Sequence, residues 1–312
     1  MCWRLAGGWA DESDLGVSMM SYWQLLMLVL PVFAVIAIGV VVRRVHWVEG
    51  EAETSLMRLV VNVCSPCFVF ESVASNEALR VPENLLLPPL VGFVMTVVGI
   101  RAGLLVAQWI GLQVGTGMRT FALAGVTNYG YLPLPIMAGL WGPGSRGVLL
   151  VHNLGVEIAI WTVGVLVLSG LSFREGWRKL VSPMLIALAL AVACNLGGVT
   201  PWLPPLLMDT IHTLAVCAIP LGLIMTGVNL ANYLNTPGGL FDAKVTGAAI
   251  ALRLGVLPVV MLVAAKYLPC SIELKRVMLV QAAMPCGIFT FLIVEMFKGE
   301  VLVSLRCSVI TM

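Results

Sequence analysis

Charge is scarce in this 312-residue chain: 18 Lys and Arg and 16 Asp and Glu make up 11% of it, and the formal net charge is only +2. A soluble domain carries charge on about a quarter of its residues, so a water-soluble globule is excluded. A balance so close to neutral also gives no reason to expect nucleic acid as a partner. Regular alternation of apolar and polar residues is missing, which excludes a transmembrane β-barrel. Long connections are missing too: the longest fall at 46–53, 172–181 and 232–244, leaving no extramembrane domain to host separate chemistry. There is no H-E-x-x-H, no rhomboid-type G-x-S-G and no pair of intramembrane aspartates. The chain is therefore not expected to be an enzyme. "HNLGVE" lacks metal-ligand spacing. "CSPC" (Cys64–Cys67) lies in an apolar run with no βαβ context and reads as structural. "GPGSRG" (Gly142–Gly147) matches a dinucleotide pattern in form only, since it follows a membrane helix and not a strand. No cofactor is expected; coupling to a proton or to sodium is left open.

What remains is 60% hydrophobic, with mean hydropathy +1.00. Windows of about 20 residues are almost free of charge, the length that crosses a bilayer core. Nine full spans and one partial span are expected, near 23–42, 56–75, 85–110, 119–141, 147–170, 182–199, 206–231, 245–268, 275–297 and 300–312. Residues 1–21 form an acidic N-terminal extension without a signal-peptide core, and the true start is expected near Met19 or Met20. Basic residues are more frequent beside the ends that follow odd-numbered spans, "REGWRK" between spans 5 and 6 above all. The positive-inside rule then puts the N-terminus outside a cell (inner or plasma) membrane.

The spans repeat. Pro31 and Pro183, Arg101 and Arg253, and Pro133 and Pro285 each stand 152 residues apart, and Pro66 and Pro220 stand 154 apart. A unit of five spans is odd-numbered, so its second copy enters the membrane from the other face, an inverted repeat of the kind found in secondary transporters. The units are expected at 22–171 and 172–312. By this register the tenth span should reach about residue 322, so it reads as truncated, and an inactive relic or a non-transporting sensor is an alternative.

Two spans carry breaks. "TNYGYLPLP" (Thr127–Pro135) places Asn128, Gly130, Pro133 and Pro135 in the middle of an apolar run. Proline lacks an N–H and disfavours helical geometry in its predecessor, here Leu132 and Leu134. Gly130 tolerates unusual dihedrals. Free amides of the following half-helix favour an anion, and Asn128 adds a donor and an acceptor. In the ninth span "QAAMPCGIF" offers Gln281, Pro285 and Gly287 at the corresponding place. Paired interruptions in two halves point to a transport site; packing kinks are the alternative. Among intramembrane charges, Arg101 reads as an anion attractant or carboxylate partner, with snorkelling as the alternative, and Arg253 stands open between the same two. Glu157 is the most central carboxylate and shares a helix face with Asn153 four residues earlier; it is expected to carry a coupling proton or to neutralise an Arg.

These segments resemble the auxin efflux carrier family of membrane transporters. "TNYGYLPLPIMAGLWG" is similar to the family's first crossover, an Asn-x6-Pro segment closing on an aromatic–Gly pair, with the crossover Asn at Asn128 and Pro at Pro135. "QAAMPCGIF" is similar to the second, with Pro285, and Ser182–Leu230 resembles the sixth and seventh spans. The resemblance covers about residues 22–312. It implies an all-helical membrane protein of ten helices in two inverted repeats, of sodium/proton-antiporter and bile-acid-symporter type. Spans 1, 2, 6 and 7 would form a scaffold and a homodimer contact, and the rest a moving body with helices 4 and 9 crossing. The long loop of the plant members is absent, so the chain resembles the short prokaryotic type. The expected function is a permease for small organic anions, auxin-like or dicarboxylate, embedded in the lipid bilayer. A sodium-coupled symporter is the alternative within that class.

Overall fold

The computed structural model describes residues 22–80, 82–112, 115–130, 132–142, 146–170, 183–234, 242–287 and 290–312. The N-terminal extension, the boundary between the two expected units and the "REGWRK" cluster lie outside them. Every expected apolar run becomes a helix. We label these α1 (Tyr22–Arg44), α2 (Gly50–Ala74), α3 (Pro82–Trp109), α4 (Thr116–Ala122), α5 (Pro133–Trp141), α6 (Gly147–Ser169), α7 (Pro183–Leu196), α8 (Pro205–Leu234), α9 (Ala243–Tyr267), α10 (Ile272–Ala283), α11 (Thr290–Met296) and α12 (Val301–Thr311). Spans 4 and 9 are each in two pieces, α4 with α5 and α10 with α11. Among the described residues five helices are long and apolar enough to cross a membrane unaided, in α2, α3, α6, α8 and α9.

Local chemistry sets the ends. α1 closes on Arg43 and Arg44, cations at the negative end of the helix dipole. α2 begins ahead of its apolar run because Glu51 and Glu53 occupy its first turn, where acidic groups suit the positive end. Asp242 caps α9 by accepting from the amides of Lys244 (3.0 Å) and Val245 (3.2 Å). Inside helices, Pro31, Pro88, Pro89 and Pro220 are accommodated without a break.

The helices pack in two groups. α1, α2, α7 and α8 pack on one another, and α3 packs on α6 beside α4, α5 and α9–α12. Each group has a glycine seam, as expected where lipid supplies no hydrophobic drive and backbones must approach closely. In the first, a Cβ on Gly39 of α1 would stand 2.1 Å from the Ile224 carbonyl oxygen of α8. In the second, a Cβ on Gly155 of α6 would stand 1.7 Å from the Pro89 carbonyl oxygen of α3. The outer face of α3 shows Leu86, Leu90, Val94, Val98 and Leu105, a stripe at helical spacing that faces lipid.

Candidate functional site at the crossing of two broken helices

The breaks are made by two extended segments that pair. After α4 the chain tightens through a 3-10 turn (Leu123–Gly125), and Val126 then becomes extended at φ −79°, ψ 128°. In span 9, α10 ends where Met284 turns extended at φ −76°, ψ 143°, the geometry a following proline imposes. The Asn128 amide donates to the Pro285 carbonyl and the Gly287 amide to the Val126 carbonyl, both at 2.9 Å, closing an antiparallel bridge between Thr127 and Cys286. Broken backbone inside a bilayer needs such internal partners. A Cβ on Gly287 would come within 3.0 Å of the Thr127 carbonyl oxygen, so a small residue permits the close approach. α12 completes the crossing: Thr311 Oγ1 accepts from the Cys286 amide at 3.0 Å, and Ser308 Oγ donates to the Gly287 carbonyl at 3.2 Å.

The prolines of span 4 correct the sequence expectation. Pro133 is the first residue of α5 and Pro135 the third, positions where a helix needs no N–H. Leu132 keeps α geometry (φ −91°, ψ −45°) despite the proline after it, and Leu134 lies inside α5. The two prolines therefore start the second half-helix; the paired extended segment makes the break. They also thin out the expected anion cradle. Two amides are absent and that of Ile136 already reaches the Leu132 carbonyl at 3.5 Å, so at most the Leu134 amide remains in the first turn.

Behind the crossing runs a buried polar chain. Arg253, only 2% exposed, lies in a π-helical turn of α9 (Ala251–Val256). Its Nε donates to the Met284 carbonyl at 2.7 Å, and its Nη2 to the Gln281 carbonyl and Thr127 Oγ1, each at 2.8 Å. Thr127 Oγ1 donates to Gln281 Oε1 at 3.1 Å, Gln281 Nε2 to Asn153 Oδ1 at 3.4 Å, and Asn153 Nδ2 to the Tyr129 carbonyl at 2.8 Å. The Tyr129 hydroxyl donates to Glu157 Oε1 at 2.7 Å and the Trp161 indole to Oε2 at 2.9 Å. Trp161 belongs to a second π turn, Ile160–Gly164, a local irregularity often found at functional sites.

In front of the crossing lies a small open cleft of about 70 Å³ between the two helix groups. Asn128, Gly130, Glu157 and Gly287 line one side; Ser65 and Phe68 of α2, Met184 of α7 and Ala218 of α8 line the other. Asn128 is 2% exposed and its Nδ2 has no hydrogen-bond partner. Such a donor is costly to bury unsatisfied, and this one sits on the cleft wall. Gly130 does not adopt positive φ, and a Cβ on it would meet nothing within 4 Å. It contributes room, not the unusual dihedral expected of it.

The sequence-derived residues thus divide. Asn128, Gly130, Glu157 and Gly287 face the cleft; Asn153, Gln281 and Arg253 form the chain behind it; Pro133, Pro135 and Pro285 shape the backbone. Arg101 belongs to none of these groups. It is exposed on the lipid-facing stripe of α3 between Val98 and Leu105, less than three turns from the helix end at Trp109, so its aliphatic stem can carry the charge to the interface. Arg253, the less favoured arginine by sequence, is the one at the centre. Thr127, Tyr129, Trp161, Ser65 and Thr311 were missed. Tyr129 adjoins Asn128 in the same motif, whereas Ser65 carries no signal of its own within "CSPC". Cys64 and Cys67 are free, and no cluster of metal-ligating side chains occurs among the described residues.

Helices that span a bilayer and cross as broken pairs over a cleft between two packed groups define a multi-pass membrane transport protein. The profile of the family described as membrane transport protein matches residues 24–173 and 170–299, and the chain belongs to that family, the auxin efflux carriers. It is similar to an uncharacterized transporter of Methanothermobacter thermautotrophicus, 27% identical over 210 residues, covering 65% of this chain and 67% of the relative. A second uncharacterized transporter, from Methanocaldococcus jannaschii, is 20% identical over 282 residues, 88% of this chain and 89% of the relative.

Proposed function

We propose that the protein is a secondary transporter that exports or exchanges small organic anions, auxin-like acids or dicarboxylates, across the cell membrane by alternating access. The observation that carries this reading is the unpartnered Asn128 amide on the wall of a cleft between the two helix groups. A ligand carboxylate would accept from Asn128 Nδ2 and from the Leu134 amide. α1, α2, α7 and α8 would serve as scaffold and dimer contact, and the other group would rock against it as the two inverted halves exchange roles. Glu157 would carry a coupling proton. Both its oxygens accept hydrogen bonds, and among the described residues no basic side chain forms an ion pair with it. A proton arriving on Oε1 would compete with the Tyr129 hydroxyl for that oxygen, beside Asn128.

Purified protein in proteoliposomes, assayed for uptake and exchange against a panel of mono- and dicarboxylates with and without a pH gradient, tests the reading. Saturable exchange of at least one carboxylate supports it. Stable, inserted protein that exchanges none of them supports a sensor or partner subunit instead.

A further inference from the structure

A second cavity, a groove of about 370 Å³, opens between the end of α3 and the start of α9, and none of its residues lines the cleft. Val106 and Trp109 stand on its α3 wall, and Gly247, Ala251 and Val256 on its α9 wall. Its flanks, Leu105 of α3 and Leu254 of α9, are exposed and apolar, so it opens sideways to the bilayer. A Cβ on Gly247 would meet nothing within 4 Å among the described residues, which leaves the backbone of α9 bare there. From Lys244 to Val256 the helix rises about 18 Å. Half of a hydrocarbon core is about 15 Å, so the groove reaches from headgroup level to the bilayer midplane.

The mouth has a different chemistry from the walls. Trp109 is the last residue of α3 and is 87% exposed, as suits an aromatic ring at the membrane interface. Lys244, in the first turn of α9, is exposed and lines the same groove. The nearby carboxylate of Asp242 is engaged elsewhere. It accepts from the amides of Lys244 and Val245 and pairs with Arg306 at 3.5 Å. No acidic side chain forms an ion pair with Lys244 among the described residues. A cation above an apolar slot one leaflet deep fits an amphiphile with an anionic head. A small organic acid would find one charge and no further polar partner on those walls.

We propose that this groove holds one acyl chain of an anionic phospholipid, with its phosphate at Lys244 and its glycerol level with Trp109. The site is separate from the transport cleft. The inner end of the groove is the π turn of α9, so the lodged chain packs the outer side of the turn that presents Arg253 inward, and lipid binding stabilises the folded protein.

The test is thermal unfolding of the detergent-purified protein titrated with phosphatidylglycerol, phosphatidylcholine or glycerol 3-phosphate. Phosphatidylglycerol is expected to raise the unfolding temperature saturably, by roughly 2–4 °C more than phosphatidylcholine, and glycerol 3-phosphate to leave it unchanged. Lys244→Gln should raise the half-saturating phosphatidylglycerol concentration roughly fivefold, the share of one Lys beside an anionic headgroup. Gly247→Leu and Ala251→Leu fill the groove and should each abolish the preference for phosphatidylglycerol. Val259→Leu, exposed on the same helix outside the groove, should keep it. Equal shifts by the two phospholipids in the wild type overturn the proposal. So does a shift reproduced by glycerol 3-phosphate, which needs no chain in the groove, and so does a full preference retained by both groove-filling variants. No transported acid enters these readouts. Failure of the uptake panel would sink the transporter reading alone, and absence of a phosphatidylglycerol preference would sink this inference alone.

Discussion

Asn128 is the residue on which recognition should turn. Asn128→Leu keeps similar bulk and removes both hydrogen-bonding groups. Loss of a charge-assisted bond is worth roughly 1.5–3 kcal/mol, so carboxylate affinity in proteoliposomes should fall roughly 10- to 150-fold, with insertion intact because Leu favours the bilayer. Unaltered affinity would show that the cleft wall does not contact the ligand. Glu157→Gln keeps the Trp161 and Tyr129 neighbours and removes the titratable group. Stimulation by a pH gradient should vanish while counterflow exchange persists; an unchanged pH response would leave Glu157 a structural role only. Arg101→Gln should leave both transport and pH response within twofold, since its side chain is exposed on the outer face of α3, away from the cleft. The two arginines illustrate what a sequence hides. They stand 152 residues apart in corresponding apolar runs, and a hydropathy window treats them alike. Only the rotation of α3 and α9 about their axes leaves one exposed and brings the other to the crossing, and sequence spacing does not encode that rotation.

At the level of the elements, hydropathy located the described helices, because bilayer thickness fixes how long an apolar run must be, although α2 starts at Gly50, ahead of the expected 56, and only five helices are long and apolar enough to span unaided. It also located both breaks. It misjudged the cause of one, since a proline means opposite things at the two ends of a helix: a stop when it follows the last turn, a start when it occupies the first. Pro285 follows α10 and holds Met284 extended, whereas Pro133 and Pro135 open α5. Pro285→Ala should therefore impair transport severely by letting α10 propagate through the crossing, while Pro135→Ala should retain most of the wild-type rate. Equal damage from the two, measured as initial exchange rates at matched expression, would contradict this assignment. The hydroxyls of Ser308 and Thr311 that complete the crossing carried no sequence signal, because Ser and Thr in a membrane helix more commonly bond their own preceding carbonyls, as Thr311 also does to Cys307 at 2.8 Å.

For the whole molecule, the basic residues predict an orientation that is open to a direct test. The connection between α1 and α2 should face the cytoplasm, so Glu49→Cys in a Cys-depleted background should resist an impermeant maleimide in intact cells and react after permeabilisation. Ready labelling of intact cells would reverse the topology. The bridge at the crossing bears on something else, the order of events at the ribosome. Thr127 meets Gln281 across 154 positions of sequence. At elongation rates of about 5–20 residues per second, roughly 8–30 s separate the emergence of the two. Through that interval the Val126 carbonyl and the Asn128 amide are without the partners they have in the finished protein. In its broken form the fourth span would leave these groups unsatisfied in hydrocarbon, and it is expected to stay in the translocon or beside an insertion chaperone until the ninth arrives. Chains halted between the two should be held there, or be destroyed faster than chains halted after Gly287.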